Sequence, residues 1–100
     1  MKVAILGYGK MGQIIEKIAK KRGHNVILKI NQNNLDLLNI NNLKKADVVI
    51  DFSTPKSART NIKQSIDAKT PIVSGTTGFG FNTGIGFIMF GLVAISNYLH

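Results

Sequence analysis

Val3-Ala4-Ile5-Leu6-Gly7-Tyr8-Gly9-Lys10-Met11-Gly12 is the stretch on which the fold turns. Its first four residues form a continuous apolar run, which reads as a buried parallel strand. Beyond it Met11, Ile14, Ile15, Ile18 and Ala19 recur at spacings of three and four, the stripe of an amphipathic helix. Between strand and helix lies Gly7-x-Gly9-x-x-Gly12, the context that gives such a glycine pattern a chemical meaning. Gly7 permits a tight turn, Gly9 lets backbone approach a pyrophosphate, and Gly12 lets the helix pack close to the strand. The free N–H groups and positive dipole end of the helix would then face phosphate. The arrangement predicts a dinucleotide, NAD or NADP. A plain glycine turn is the alternative.

The rest of the chain repeats this grammar. Lys20, Lys21 and Arg22 suit the last turn of the first helix, and Gly23 supplies its stop. Val26 to Ile30 reads as a second strand. The asparagine-rich stretch from Asn31 to Asn42, with Leu35, Leu37, Leu38 and then Leu43, reads as an irregular loop with room for one helical turn. Val48-Val49-Ile50 is a third strand ending at Asp51. Thr54 can cap a helix opened by Pro55, with Ala58, Ile62 and Ile66 as its apolar stripe. Pro71 to Ser74 is a fourth strand, followed by Gly75-Thr76-Thr77-Gly78. Strand, helix, strand, loop, strand, helix, strand predicts an α/β fold: a Rossmann-type parallel sheet with flanking helices, incomplete after the fourth strand.

Composition narrows the function classes. One hundred residues make one domain at most. With no cysteine, disulfides, cysteine metal sites and thiol nucleophiles are excluded; with only His24 and His100, so is a His-rich metal cluster. His24 falls in the turn after the first helix and reads as a surface residue. The net charge of +8 raises nucleic-acid binding, but the longest basic run is Lys20-Lys21-Arg22 and the other lysines are scattered. Lysine (11), asparagine (10) and isoleucine (14) dominate, as in a genome poor in G and C, so no nucleic-acid partner is expected. The apolar run after Met1-Lys2 is too short for a signal peptide, and a cytoplasmic location is expected. No charged residue occurs from Thr70 to Leu99. The apolar stretch there falls short of the ~20 residues of a membrane span. Residues 80–100 are read instead as an apolar, helical tail, either buried or a docking face for a protein partner or a second copy, with a non-native tail as the alternative. Residues 1–79 are read as the dinucleotide-binding half-domain.

Two further segments fall at strand carboxyl ends, where open α/β sheets bind ligands: Asp51-Phe52-Ser53-Thr54-Pro55 and Gly75-Thr76-Thr77-Gly78. The second strand ends without the acid that often meets the adenosine ribose in NAD-preferring proteins. Asn31 could hydrogen-bond a ribose hydroxyl there. Lys29 would either favour a 2′-phosphate or stand as a solvated charge.

Taken together, residues 3–12, 49–55 and 73–79 resemble the N-terminal half of the 4-hydroxy-tetrahydrodipicolinate reductase (dihydrodipicolinate reductase) family. The resemblance implies an NADH- or NADPH-dependent oxidoreductase of lysine and diaminopimelate biosynthesis, with a second domain for substrate. It places Gly7, Tyr8, Gly9, Lys10, Met11, Gly12, Asn31, Phe52, Ser53, Gly75, Thr76 and Thr77 at the cofactor, and no metal. The family's histidine pair followed by lysine has no counterpart here, so no catalytic residue carries over. Asn82-Thr83-Gly84 and the apolar residues after it are loosely similar to a later family segment, as an internal deletion followed by truncation would leave them. The expected protein is a truncated family member with its catalytic domain missing and doubtful activity alone. The alternatives are a non-catalytic nucleotide-binding module working with a separate subunit, and a membrane-tethered fragment.

Overall fold

The computed structural model describes residues 1–75. β1 (Lys2–Leu6) leads into α1 (Lys10–Lys21) and β2 (Asn25–Ile30). A 3-10 turn (Leu35–Leu37) and the short α2 (Ile40–Leu43) precede β3 (Val48–Asp51), α3 (Pro55–Asp67) and β4 (Ile72–Ser74). The four strands form one parallel sheet in the order β2-β1-β3-β4. The expected Rossmann-type alternation is therefore present. From β1 the chain steps outward to β2, and from β3 it steps the opposite way to β4. Crossovers of one hand must then lie on opposite faces.

The core divides accordingly. Val3, Ile5, Val48 and Ile50 pack with Ile15 of α1 on one face. Ala4, Leu6, Ile30 and Val49 pack with Leu43 of α2 and Ala68, just past α3, on the other. β1 and β3 are buried on both faces, which is why they read as unbroken apolar runs.

β2 departs from simple alternation. Val3 pairs with Val26 but Ala4 pairs with Leu28, so Ile27 is an extra residue, a β-bulge. Because side chains alternate with period two, one inserted residue exchanges the faces of everything after it. Val26 packs on the α1 side, while Ile27 and Leu28 both pack on the α2–α3 side. Ile30 thereby enters the second core cluster and Lys29 is delivered to the face of α1.

Helix ends follow local chemistry. α1 stops in a Schellman motif: Gly23 takes φ +83°, its N–H bonds to Lys20 O at 3.0 Å, and His24 N–H bonds to Ala19 O at 2.9 Å. His24 is half-buried rather than a plain surface residue, and its Nδ1 lies 3.2 Å from the amino terminus. α3 starts as expected, with Thr54 Oγ1 accepting from Ser57 N–H at 3.2 Å and Pro55 in the first turn. Its buried face differs from the expected stripe. Ala58, Asn61 and Ser65 are buried, whereas Ile66 is 65% exposed. Hydrogen bonds from Asn61 to the end of β3 set the helix rotation and turn Ile66 outward.

The asparagine-rich loop is built by its asparagines. Asn34 Oδ1 accepts from Asn31 N–H and Asn31 Oδ1 from Asn33 N–H, both at 2.7 Å. Asn34 Nδ2 donates to Lys29 O, Asn42 Nδ2 to Leu37 O, and Asn39 caps α2 through Asn42 N–H. Short amide side chains replace ladder partners that an irregular backbone lacks.

Candidate functional site

The expected glycine loop sits where the strand order reverses, at the carboxyl ends of β1 and β3, the usual ligand crevice of such sheets. Its three glycines are not equivalent. Gly7 has φ +85°, and a Cβ there would stand 2.5 Å from the backbone of Phe52 and Ser53. A Cβ on Gly12 would stand 2.7 Å from Gly7 O and 3.4 Å from Ile5 Cγ2. Those two positions are closed by the protein itself. A Cβ on Gly9 would meet nothing within 4 Å. The loop is tied to β2, since Gly7 N–H and Tyr8 N–H both donate to Ile30 O, at 2.9 and 2.8 Å.

Helix α1 begins at this loop with an N-terminus that no side chain caps, unlike α2 and α3. The first N–H groups of a helix have no intrahelical acceptor, so those of Lys10, Met11 and Gly12 are available to a ligand. The first turn carries no acid and does carry Lys10. A cation there works against the helix dipole but suits an anion.

In front of the loop lies an open groove of about 820 Å³. One side is formed by Gly7, Tyr8, Gly9, Ile30, Asn31 and Gln32, with Leu35 and Leu38 from the asparagine loop. The other is formed by Phe52, Ser53, Thr54, Lys56, Ser57, Thr60 and Asn61. Of the expected site residues, the structure brings Gly7, Tyr8, Gly9, Asn31, Phe52 and Ser53 to this groove. Lys10, Met11 and Gly12 continue from it into α1, and Met11 packs on the α1-side core. Gly75 lies against Phe52, where a Cβ would stand 2.5 Å from the ring. Thr76, Thr77 and the tail at 80–100 lie outside the described residues.

Beneath the groove is a buried carboxylate that belongs to the expected Asp51–Pro55 segment but not to the residues expected at the cofactor. Asp51 is fully buried at the end of β3. Its Oδ1 accepts from Ser53 N–H at 3.0 Å, Ser53 Oγ at 2.6 Å and Asn61 Nδ2 at 3.2 Å, and its Oδ2 from Ser74 Oγ at 3.3 Å. Gly75 N–H adds a bond to Asp51 O at 2.9 Å. Three segments that shape the crevice are thus fastened to one residue. The signal in the sequence was an acid closing an otherwise apolar strand.

A second cluster lies behind the glycine loop. Glu16 of α1 is buried, and its Oε1 accepts from Tyr8 Oη at 2.5 Å. Its Oε2 lies 3.0 Å from Lys29 Nζ and 3.4 Å from Lys20 Nζ. The Tyr8 hydrogen bond, then Lys29, holds the Glu16 carboxyl at a pKa of about 2, against burial, which opposes the shift. Hydrogen bonding to Glu16 in turn raises the pKa of both Tyr8 and Lys29. Lys29 Nζ also stands 5.2 Å from the centre of the Tyr8 ring, a cation–π contact. Lys29 is therefore an ion-paired charge whose side chain remains 44% exposed, and it does not line the groove.

The pattern described as "Dihydrodipicolinate reductase, N-terminus" matches residues 1–83. The chain belongs to the dihydrodipicolinate reductase family. Similar to it is a 4-hydroxy-tetrahydrodipicolinate reductase of Christiangramia forsetii, 47% identical over 81 residues, 79% of this chain and 32% of that protein. A protein of that name from Rickettsia rickettsii is 44% identical over 72 residues, 70% of this chain and 30% of its own length. One from Staphylococcus carnosus is 33% identical over 84 residues, 78% and 34% respectively. The chain spans about a third of the length of the curated relatives it matches. The matched region contains the whole described sheet of this family member, including the glycine loop and Asp51.

Proposed function

We propose that this chain is the NAD(P)H-binding part of a 4-hydroxy-tetrahydrodipicolinate reductase of lysine and diaminopimelate biosynthesis, acting in the cytoplasm. The observation that carries the proposal is the division of labour among the glycines. Gly7 and Gly12 are filled by the protein, and Gly9 alone is left open beside an uncapped helix start. A bare backbone, free N–H donors and Lys10 are the chemistry a pyrophosphate needs.

In this reading Gly9 and the first turn of α1 hold the pyrophosphate. Asn31 and Gln32 meet the adenosine ribose at the end of β2. Phe52, Ser53 and Gly75, fastened through Asp51, border the nicotinamide end, together with Thr76 and Thr77. The bound cofactor would supply a hydride to the substrate. The protein's share is to bind it and to orient it. No acid or base for that step is assigned to this chain.

The test is a fluorescence titration of the 100-residue chain with NADH and NADPH, beside a Gly9→Asp variant. Asp is a good N-cap, so the variant folds at least as well as the parent. Its carboxylate would occupy the pyrophosphate position and repel it. Saturable binding by the parent, weakened at least ~10-fold in the variant, is the expected outcome, since a displaced charge-assisted contact costs this much or more. A folded parent chain that binds neither cofactor would overturn the proposal.

A further inference from the structure

We propose that Glu16 makes this chain selective for NADH over NADPH, by holding the Lys29 ammonium behind the Tyr8 ring and out of the groove. The inference rests on the dinucleotide reading above and concerns only the choice between its two forms. NADH and NADPH differ by one phosphate on the adenosine ribose. That ribose meets the end of the second strand in open α/β sheets. A 2′-phosphate needs a cation with N–H groups to spare at that end.

Lys29 is the cation in β2 closest to this end, two residues before Asn31. The bulge at Ile27 turns it to the face of α1, where its Nζ lies 3.0 Å from Glu16 Oε2. The same carboxylate accepts the Tyr8 hydroxyl, so Glu16 fixes the ring and the ammonium stacked on it together. Tyr8 lines the groove, whereas Lys29, Glu16 and Lys20 do not. What the groove presents at this end is Asn31 and Gln32. Amides pair with ribose hydroxyls but do not neutralise a phosphate. Among the described residues only one lysine, Lys56, lines the groove, on the opposite wall in the first turn of α3, while Lys10 at the start of α1 is taken by the pyrophosphate in the reading above. Glu16 is in this sense a positioning residue that acts through Lys29 and Tyr8.

The test measures Kd for NADH and NADPH at one fixed salt concentration on the 100-residue chain and on Glu16→Gln, Lys29→Met, Lys56→Gln and the Glu16→Gln/Lys29→Met double variant. The parent is expected to bind NADPH at least ~5-fold more weakly than NADH, a size set by one missing, solvent-screened charge contact. A glutamine at 16 lacks the charge that pairs with the ammonium, so Lys29 is held more weakly and becomes freer to reach the phosphate. The NADPH/NADH Kd ratio then falls by about the same factor, and the double variant restores it. Using the ratio cancels any general loosening of the glycine loop. Should Glu16→Gln fail to fold by circular dichroism, Lys29→Met alone decides. An unchanged ratio supports the proposal, and a selective loss of NADPH binding makes Lys29 a phosphate ligand and overturns it. A parent that binds NADPH as tightly as NADH overturns it too, with Lys56→Gln showing whether Lys56 is the cation used. If neither cofactor binds the parent, the dinucleotide reading fails first.

Discussion

At the scale of single residues, the glycines at 7, 9 and 12 show that a motif's letters can carry opposite energetic meanings. Gly12→Ala forces a methyl to within 2.7 Å of Gly7 O, a backbone atom that cannot step aside. Overpacking of this kind costs about 1–3 kcal/mol, to be read as a lowered urea midpoint. Gly9→Asp should leave that midpoint unchanged or slightly raised, because it adds a cap where the protein has none. Glu16 has a different signature. Its carboxyl titrates at about 2 in the folded protein, held there chiefly by the Tyr8 hydroxyl, against an ordinary value of 4.5. The unfolded chain binds the proton more readily, so stability falls as pH falls through this window. The contribution is complete above about pH 4.5 and is lost toward about pH 2. Urea unfolding between those limits should show a shallower dependence on pH in Glu16→Gln, and an identical slope in parent and variant would remove the cluster's role. On the alkaline side Tyr8 and Lys29 have raised values, so their contribution persists below their ordinary pKa and disappears as pH climbs through the folded ones.

At the scale of elements, α1 and α3 end in the same Schellman hydrogen bonds with different residues. α1 uses Gly23; α3 uses Lys69 at φ +57°, with Lys69 N–H bonded to Ile66 O and Thr70 N–H to Ser65 O, both at 2.9 Å. A side chain in the left-handed region is strained by about 1 kcal/mol. Lys69→Gly should therefore raise stability, less the extra entropy glycine has in the unfolded chain, leaving a few tenths to about 1 kcal/mol. Thermal denaturation reads the sign. The element order was legible in the sequence because buried parallel strands appear as bare apolar runs and α1 carries its own stripe. Three features were hidden for physical reasons. Val26-Ile27-Leu28 is apolar throughout, so nothing in it marks the residue that bulges. Asn61 looks like a surface residue until Asp51 is seen beneath it, and that bond, not the isoleucines, sets the phase of α3. The pairing of Glu16 with Lys29 depends on the bulge and was hidden with it. The site was legible where it rests on local spacing, in the glycine loop, and illegible where it rests on contacts between elements.

At the scale of the whole molecule, the groove joins segments fastened by bonds to Ile30 O and Leu6 O, by the packing of Gly7 on the Phe52–Ser53 backbone and by the carboxylate of Asp51. A dinucleotide lying across it would add bonds that tie the β2 end, the start of α1 and the β3–α3 loop together, and would make them only in the folded state. Such a ligand stabilises by RT ln(1 + [L]/Kd), about 2.7 kcal/mol at one hundred times Kd. For a domain of this size each kcal/mol raises Tm by roughly 4–8 °C, so saturating NADH should raise it by about 10–20 °C. The shift should shrink as salt is added, because the pyrophosphate is met by helix N–H groups and Lys10 at an exposed surface. Gly9→Asp separates the causes. If the gain comes from the proposed seat, the variant starts at the parent's Tm or slightly above it and gains nothing from NADH. An equal gain in parent and variant would put the dinucleotide elsewhere on the surface, and the open position at Gly9 would then need another ligand to explain it.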